Sequence, residues 1–227
     1  MKTAVVIGST GLTGSLLVKK LVQESSFGQI IVICRNKASA NLQIFTSPKV
    51  RVLEFNFENW NELELQIRSF VGTSQSAFFC CLGTTINQAG SQDAFKKVDH
   101  DYVVSFAELA SSCRAELLVV VSSLGADKSS NVFYSKIKGE MEEHVRQKFS
   151  EKLHILRPSL LVGDRTQFRF GERVAILLAP IYSLLMFGPL KKYQPVPAEI
   201  VAGTMVRLAE KKLIGNLILE NQDILKL

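Results

Sequence analysis

No stretch of this 227-residue chain reaches the roughly 18 uninterrupted apolar residues that a membrane-spanning helix needs. The most apolar window, Arg173–Gly188 (RVAILLAPIYSLLMFG), falls short of that length and is broken by Pro180. Residues 174–187 are therefore expected to form a core or lid helix, or an exposed face for a protein partner, a dimer mate or a lipid-like substrate. The N-terminus, MKTAVVIGSTG, has neither the long apolar region nor the small-residue cleavage site of a signal peptide, so a cytoplasmic location is expected. Cysteine is sparse: Cys34, Cys80, Cys81 and Cys113 form no CxxC pair of the kind that holds zinc. They read as reduced thiols buried like small hydrophobes. The three histidines, His100, His144 and His154, lie far apart with no metal or triad spacing, so no metal site is expected. The single tryptophan, Trp60, has no partner pattern and is expected to pack against a sheet.

The net charge is +6, yet no dense basic stripe with interleaved aromatics is present. The basic residues come as scattered pairs, among them Lys19-Lys20, Lys96-Lys97, Lys191-Lys192 and Lys211-Lys212. That distribution argues against a nucleic-acid partner and for a general attraction toward small anions.

What the chain does have is a regular alternation of short apolar strands and helical patterns. Hydrophobic residues make up 47% and charged residues 21%, the balance of a packed globular domain. Strands are expected at Thr3–Ile7, Gln29–Cys34, Val50–Phe55, Ser76–Leu82, Glu116–Ser122 and Leu153–Leu156. Between them, helices are expected over Leu12–Glu24, Asn59–Val71, Gln92–Cys113 and Phe133–Phe149. Asp164–Pro197 breaks this rhythm, after which Val201–Glu210 reads as a helix and Leu217–Glu220 as a last strand. This pattern implies an α/β fold: a Rossmann-type, doubly wound parallel sheet with helices on both faces. Residues 1–227 are expected to be one domain, with an irregular substrate-side segment at about 164–197.

The turn Gly8-Ser9-Thr10-Gly11-Leu12-Thr13-Gly14 lies between the first strand and the first helix. Gly8 suits a tight turn, Gly11 lets the backbone approach a pyrophosphate at the helix N-terminus, and Gly14 lets helix and strand pack closely. Three glycines alone also fit an ordinary strand-to-helix turn; it is the position directly after AVVI that makes a dinucleotide site. The second strand ends Cys34-Arg35-Asn36, without the carboxylate that would accept from a ribose 2′-hydroxyl. Arg35 offers a planar, permanently charged donor for a 2′-phosphate, which favours NADP(H), although an arginine there is also a common solvated charge. Further on, Tyr134 and Lys138 share one helical face, and an ammonium beside a phenol stabilises the phenolate that acid–base chemistry visits. Ser122-Ser123 stands at the carboxyl end of the preceding strand, where open α/β sheets bind ligands.

In these motifs the chain resembles the atypical short-chain dehydrogenase/reductases: GSTGLTG, CRN, SSLGAD, YSKIKG and RPSLLVG occur in the expected order. More narrowly it is similar to the Tat-interacting-protein-like group of small oxidoreductases, through CCLGTT, VDHDYV, SSLGADKSSNVFY, KGE and DR…GE, from Ala4 to about Val201. The resemblance implies Tyr134 as general acid, Lys138 on the nicotinamide ribose, and Ser123 on the substrate oxygen with Ser122 as the fallback. It also implies that Leu82-Gly83-Thr84 passes the ribose and nicotinamide, Phe55 and Asn56 lie near the adenine, and Pro158 and Leu160 touch the nicotinamide. One departure stands out: many relatives place a proton-relaying Asn where this chain has Asp99, which puts that relay in doubt. The short substrate portion also argues against a sugar-nucleotide substrate. Two functions compete. One is an NADPH-dependent reductase of a small carbonyl compound; the other is a non-catalytic NADP(H)-sensing regulator acting through protein partners.

Overall fold

The computed structural model describes residues 1–36, 46–72, 74–163, 188–211 and 215–227. Its centre is a seven-stranded, wholly parallel sheet, and the apolar strand patterns account for it directly. The strands are β1 (Lys2–Ile7), β2 (Phe27–Cys34), β3 (Val50–Glu54), β4 (Ser76–Cys80), β5 (Leu117–Val121), β6 (Lys152–Arg157) and β9 (Leu217–Glu220). Across the sheet they run β3-β2-β1-β4-β5-β6-β9. Chain direction across the sheet reverses between β1 and β4, the switch point at which such sheets open a crevice.

Alternate residues of each strand supply two separate cores, as a period of two requires. Val5, Ile7, Ile31, Phe78, Leu118, Val120 and Ile155 face α2 (Trp60–Val71), α5 (Tyr102–Ser112) and α6 (Phe133–Lys148), meeting Ile67, Phe106, Met141 and Val145. Ala4, Val6, Ile30, Val32, Phe79 and Val119 face the other way, against α1 (Leu12–Gln23) and α7 (Ala198–Glu210), through Leu17, Leu21, Val201 and Met205. Burial on both faces is why these strands read as continuous apolar runs. Trp60 packs as expected, edge-on to Phe55 at a centroid distance of 5.0 Å.

The fourth helical stretch differs from its expectation. Instead of one helix over Gln92–Cys113, a short α4 (Gln92–Lys96) runs through a wide π-turn at Lys97–Asp101 into α5. A π-turn inserts one residue into an otherwise continuous helix, and no proline or glycine in Lys97–Asp101 marks it in the sequence. Both Asp99 and His100 are buried in that turn. The sequence pattern does not foretell the single-turn α3 (Ile86–Ala89), the 3-10 helix at Gly188–Tyr193, the C-terminal α8 (Asn221–Lys226), or a short parallel ladder of β7 (Leu161–Val162) and β8 (Val196–Pro197). The apolar window at 174–187 lies outside the described residues. No described helix is long and apolar enough to cross a membrane.

Gly139, in the middle of α6, is needed for close approach. A Cβ built there would lie 2.1 Å from the Lys128 nitrogen and 2.3 Å from the Asp127 carbonyl carbon, because the loop after β5 crosses the helix at that point. Gly139→Ala should therefore lower the unfolding free energy by about 3 kcal/mol in denaturant titration. Gly203 in α7 provides the control: its added Cβ would meet only the flexible Arg207 guanidinium, at 3.6 Å. Gly203→Ala should be neutral, or stabilising by up to about 1 kcal/mol, as helix propensity predicts.

Candidate functional site

The candidate residues lie at the carboxyl ends of adjacent strands. Phe55 and Asn56 leave β3, Arg35 leaves β2, Gly8 leaves β1, Leu82–Thr84 leave β4, Ser123 leaves β5 and Pro158 leaves β6. Three strand spacings separate Arg35 from Ser123, roughly 14 Å.

At the centre is the glycine turn. Gly8 has φ +77°, and a Cβ on it would stand 2.5 Å from the Cys81 carbonyl carbon, so the turn presses directly against the exit of β4. A Cβ on Gly14 would lie 2.2 Å from the Gly8 carbonyl oxygen. Gly11 is the N-cap of α1, with no side-chain cap, and the first turn carries no acidic residue. Exposed N–H groups at a helix N-terminus with no carboxylate nearby suit an anion. Thr10 and Gly11 are exposed, Leu12 is half-buried and Thr13 is buried. Ser9 is buried, and its hydroxyl has no hydrogen-bond partner among the described residues. An orphaned donor inside this cradle fits a phosphate oxygen.

On one side of the turn, Arg35, Phe55 and Asn56 share a cleft of about 320 Å³ with Glu54, Asn59 and Gln66. Arg35 is exposed, whereas Phe55 is buried, its ring packed against Phe57 and Trp60. Glu54 opposes Cys34 across the ladder, so a carboxylate also borders this cleft.

On the other side, Lys138 and Asp99 form an ion pair with 2.7 Å between Nζ and Oδ1, at side-chain exposures of 3% and 1%. The other Asp99 oxygen accepts the Thr84 backbone N–H at 2.8 Å. Asp99 thus ties α6 to the exit of β4. Burial is the strongest single influence and disfavours the Lys138 ammonium, but the Asp99 carboxylate, Tyr134 and Cys80, acting in the same sense, together hold Lys138 above the usual lysine range. Tyr134, one turn earlier on α6, is half-buried, with its ring 5.4 Å from that of Phe95. Asp99 was read from the sequence only as a departure from an expected Asn; its pairing partner lies 39 residues away and leaves no local signal.

The two serines of β5's exit part ways. Ser122 donates to Glu142 Oε1 at 2.6 Å inside the core, which removes it as the fallback. Ser123 is half-buried, and its hydroxyl makes only a long contact to the Leu124 carbonyl, at 3.4 Å. The Leu124 N–H donates to the Pro158 carbonyl at 2.8 Å, joining the exits of β5 and β6. Pro158 is buried, and Leu160 is 36% exposed.

The fold also brings together two histidines that sequence distance keeps apart. His100 Nε2 and His144 Nδ1 share a hydrogen bond of 2.7 Å, and His100 Nδ1 bonds Asp101 at 2.7 Å. His154 is wholly buried elsewhere, with its Nδ1 3.1 Å from the Leu153 carbonyl. No metal-binding group is present among the described residues. Burial pushes the Cys80 thiol up to about 12 and the Cys113 thiol up to about 11, and raises Cys81 as well. At neutral pH none of the three is a thiolate nucleophile.

The NAD(P)H-binding family matches residues 8–173. Protein HTATIP2 of Rattus norvegicus is 34% identical over 174 residues, 77% of this chain and 69% of that protein. The mitochondrial protein fmp52 of Aspergillus fumigatus is 30% identical over 234 residues, 100% of this chain and 98% of that protein. Among solved structures, the Bordetella bronchiseptica enzyme WbmH in complex with NAD+ superposes with a TM-score of 0.71 at 12% identity, covering 96% of this chain and 74% of that one. The UDP-glucose 4-epimerase of Thermotoga maritima gives 0.68 at 19% identity, covering 96% and 76%. At such identities the structures establish the Rossmann fold and nothing finer.

Proposed function

The chain belongs to the NAD(P)H-binding family, and on that premise we propose that it is a one-domain, NADP(H)-dependent reductase of a small carbonyl compound. The observation that carries this reading is the placement of Tyr134 and the buried, ion-paired Lys138 on one face of α6, with Ser123 half-buried at the exit of β5. The cofactor, when bound, supplies a hydride to the carbonyl carbon. Tyr134 donates its phenolic proton to the carbonyl oxygen, and Ser123 donates a hydrogen bond to the same oxygen. Lys138 has three N–H donors; one faces Asp99, and the others serve the ribose hydroxyls and Tyr134. The Gly8–Gly14 turn, with Ser9, Thr10 and the N-terminus of α1, holds the pyrophosphate. Phe55 and Asn56 take the adenine; Leu82–Thr84, Pro158 and Leu160 border the nicotinamide.

Arg35 is assigned the 2′-phosphate. Arg35→Ala should weaken NADPH by about 10- to 100-fold, the worth of a charge-assisted bond, and leave NADH within about twofold. Titration calorimetry with both cofactors checks this. Equal losses would remove Arg35 from that role, and preserved NADPH affinity with Glu54→Gln weakening NADH would favour an NAD site.

A second reading is favoured by one observation: Asp99 already neutralises Lys138, which weakens its support for a Tyr134 phenolate. On that reading the protein is an NADP(H)-sensing regulator. A screen of aldehydes and ketones for NADPH oxidation separates the two. Turnover that vanishes in Tyr134→Phe supports the reductase; tight NADPH binding without turnover on a broad panel supports the regulator. The cytoplasmic location expected from the sequence remains part of this proposal, while fungal relatives are named mitochondrial. Cell fractionation decides it.

A further inference from the structure

The face of α6 that carries Tyr134 and Lys138 continues for another turn. Tyr134, Lys138 and Glu142 follow at four-residue spacing and line one helical stripe. Glu142 is 1% exposed and lies where the ends of β5 and β6 converge. Its Oε1 accepts the Ser122 hydroxyl at 2.6 Å and Arg157 Nε at 2.9 Å, and its Oε2 accepts Arg157 Nη2 at 2.7 Å. Arg146 approaches Oε2 from the same helix at 3.5 Å. Arg157 Nη1 donates onward to Glu220 at the end of β9, at 2.9 Å.

Resting on the reductase reading, we propose that Glu142 is a positioning residue: through Ser122 and Arg157 it fixes Ser123 and Pro158 against the Tyr134 and Lys138 of its own helix. Each link is direct. Ser122 immediately precedes Ser123, and its backbone N–H is held by the Leu156 carbonyl at 2.7 Å. With the Ser122 side chain drawn onto Glu142, the neighbouring Ser123 hydroxyl keeps only its long contact to the Leu124 carbonyl, at 3.4 Å. Arg157 immediately precedes Pro158, and its paired N–H donors grip the carboxylate as a planar fork with little rotational freedom. The bond from Leu124 to Pro158 then locks the two exits together one residue further on. One helix therefore sets all three reacting groups, two by its own side chains and the third through a buried carboxylate. An ion pair serving stability alone would need only Arg157; the Ser122 hydroxyl is the part that reaches the site.

Ser122→Ala isolates that part, because it removes one hydroxyl and leaves the Glu142–Arg157 pair in place. Two readouts are taken on the NADPH complex: steady-state reduction of a carbonyl substrate, and amide hydrogen exchange of Ser122–Leu124. In Ser122→Ala, kcat should fall about tenfold while the KM for NADPH changes less than about twofold, matching the loss of one charge-assisted bond. Exchange at Ser122–Leu124 should quicken by a similar factor, with Leu118–Val120 unchanged. Glu142→Gln should lose more of both, and the double variant should lose no more than Glu142→Gln alone. Wild-type exchange and wild-type kcat in Ser122→Ala would overturn the proposal, as would a full loss of NADPH binding, which would mark a purely structural role. If the wild type itself shows no Tyr134-dependent turnover, the reductase reading falls, and the exchange result alone then decides whether Glu142 fixes the exit of β5.

Discussion

Lys138→Met is expected to lower the unfolding free energy by about 3–5 kcal/mol, because it leaves a buried carboxylate without its cation. Asp99 is 1% exposed, and its remaining partner is the Thr84 N–H. One amide dipole does not replace an ammonium at 2.7 Å. Adding Asp99→Asn to Lys138→Met removes the stranded charge and retains an acceptor for Thr84, so the double variant should regain most of the lost stability. It should not regain NADPH affinity, because the donors assigned to the ribose are gone. Chemical denaturation and calorimetry on the three variants read these effects separately. If the double variant recovered both, Lys138 would have no part in cofactor binding.

The same pair sets a pH dependence with a definite sign. The folded-state pKa of Lys138 is raised, chiefly by Asp99 acting against burial. Its contribution is complete below the unfolded lysine value of about 10.4 and is lost as pH rises through the higher folded value. The stability difference between wild type and the double variant should therefore hold constant through neutral pH and narrow only in strong alkali.

The sequence marks those parts of the proposed site whose residues are neighbours along the chain. The turn at Gly8–Gly14, the Arg35 position after β2 and the Tyr134/Lys138 spacing each depend on local geometry, and local geometry leaves a pattern. The sheet was legible for a related reason: burial on both faces makes central strands such as β1, β4 and β5 apolar runs, while the edge strands β3 and β9 are only partly buried. The groups that hold the site in register were not legible. Asp99 meets Lys138, Ser122 meets Glu142, Arg157 meets Glu220, and His100 meets His144 only once the sheet order is fixed. Glu142 did leave half a signal, as the third member of a four-residue series on α6, but nothing local identifies its partner. Boundaries erred where backbone changes character without changing polarity. The strand expected to reach Leu82 ends at Cys80, although Cys81 and Leu82 beyond it are still apolar.

Removal of the Tyr134 hydroxyl should be the most damaging single-atom change for turnover. Tyr134→Phe keeps the ring on Phe95 and the buried face of α6 intact, so stability should change by less than about 1 kcal/mol. If Tyr134 delivers the proton, kcat should fall by about 10²- to 10⁴-fold, the usual contribution of a positioned general acid. NADPH affinity should change little, because Lys138 remains paired to Asp99 and the pyrophosphate cradle is untouched. Loss of kcat at constant cofactor affinity means that the missing interaction is made only in the transition state. Ser123→Ala should give a smaller loss of the same kind, since it removes a hydrogen bond to the carbonyl oxygen and not the proton donor. A Tyr134→Phe variant that kept full turnover would exclude this tyrosine as the acid. The proton would then have to come from another group at the exits of β4 and β5, where the buried Lys138 ammonium is the remaining donor among the described residues that already faces Tyr134.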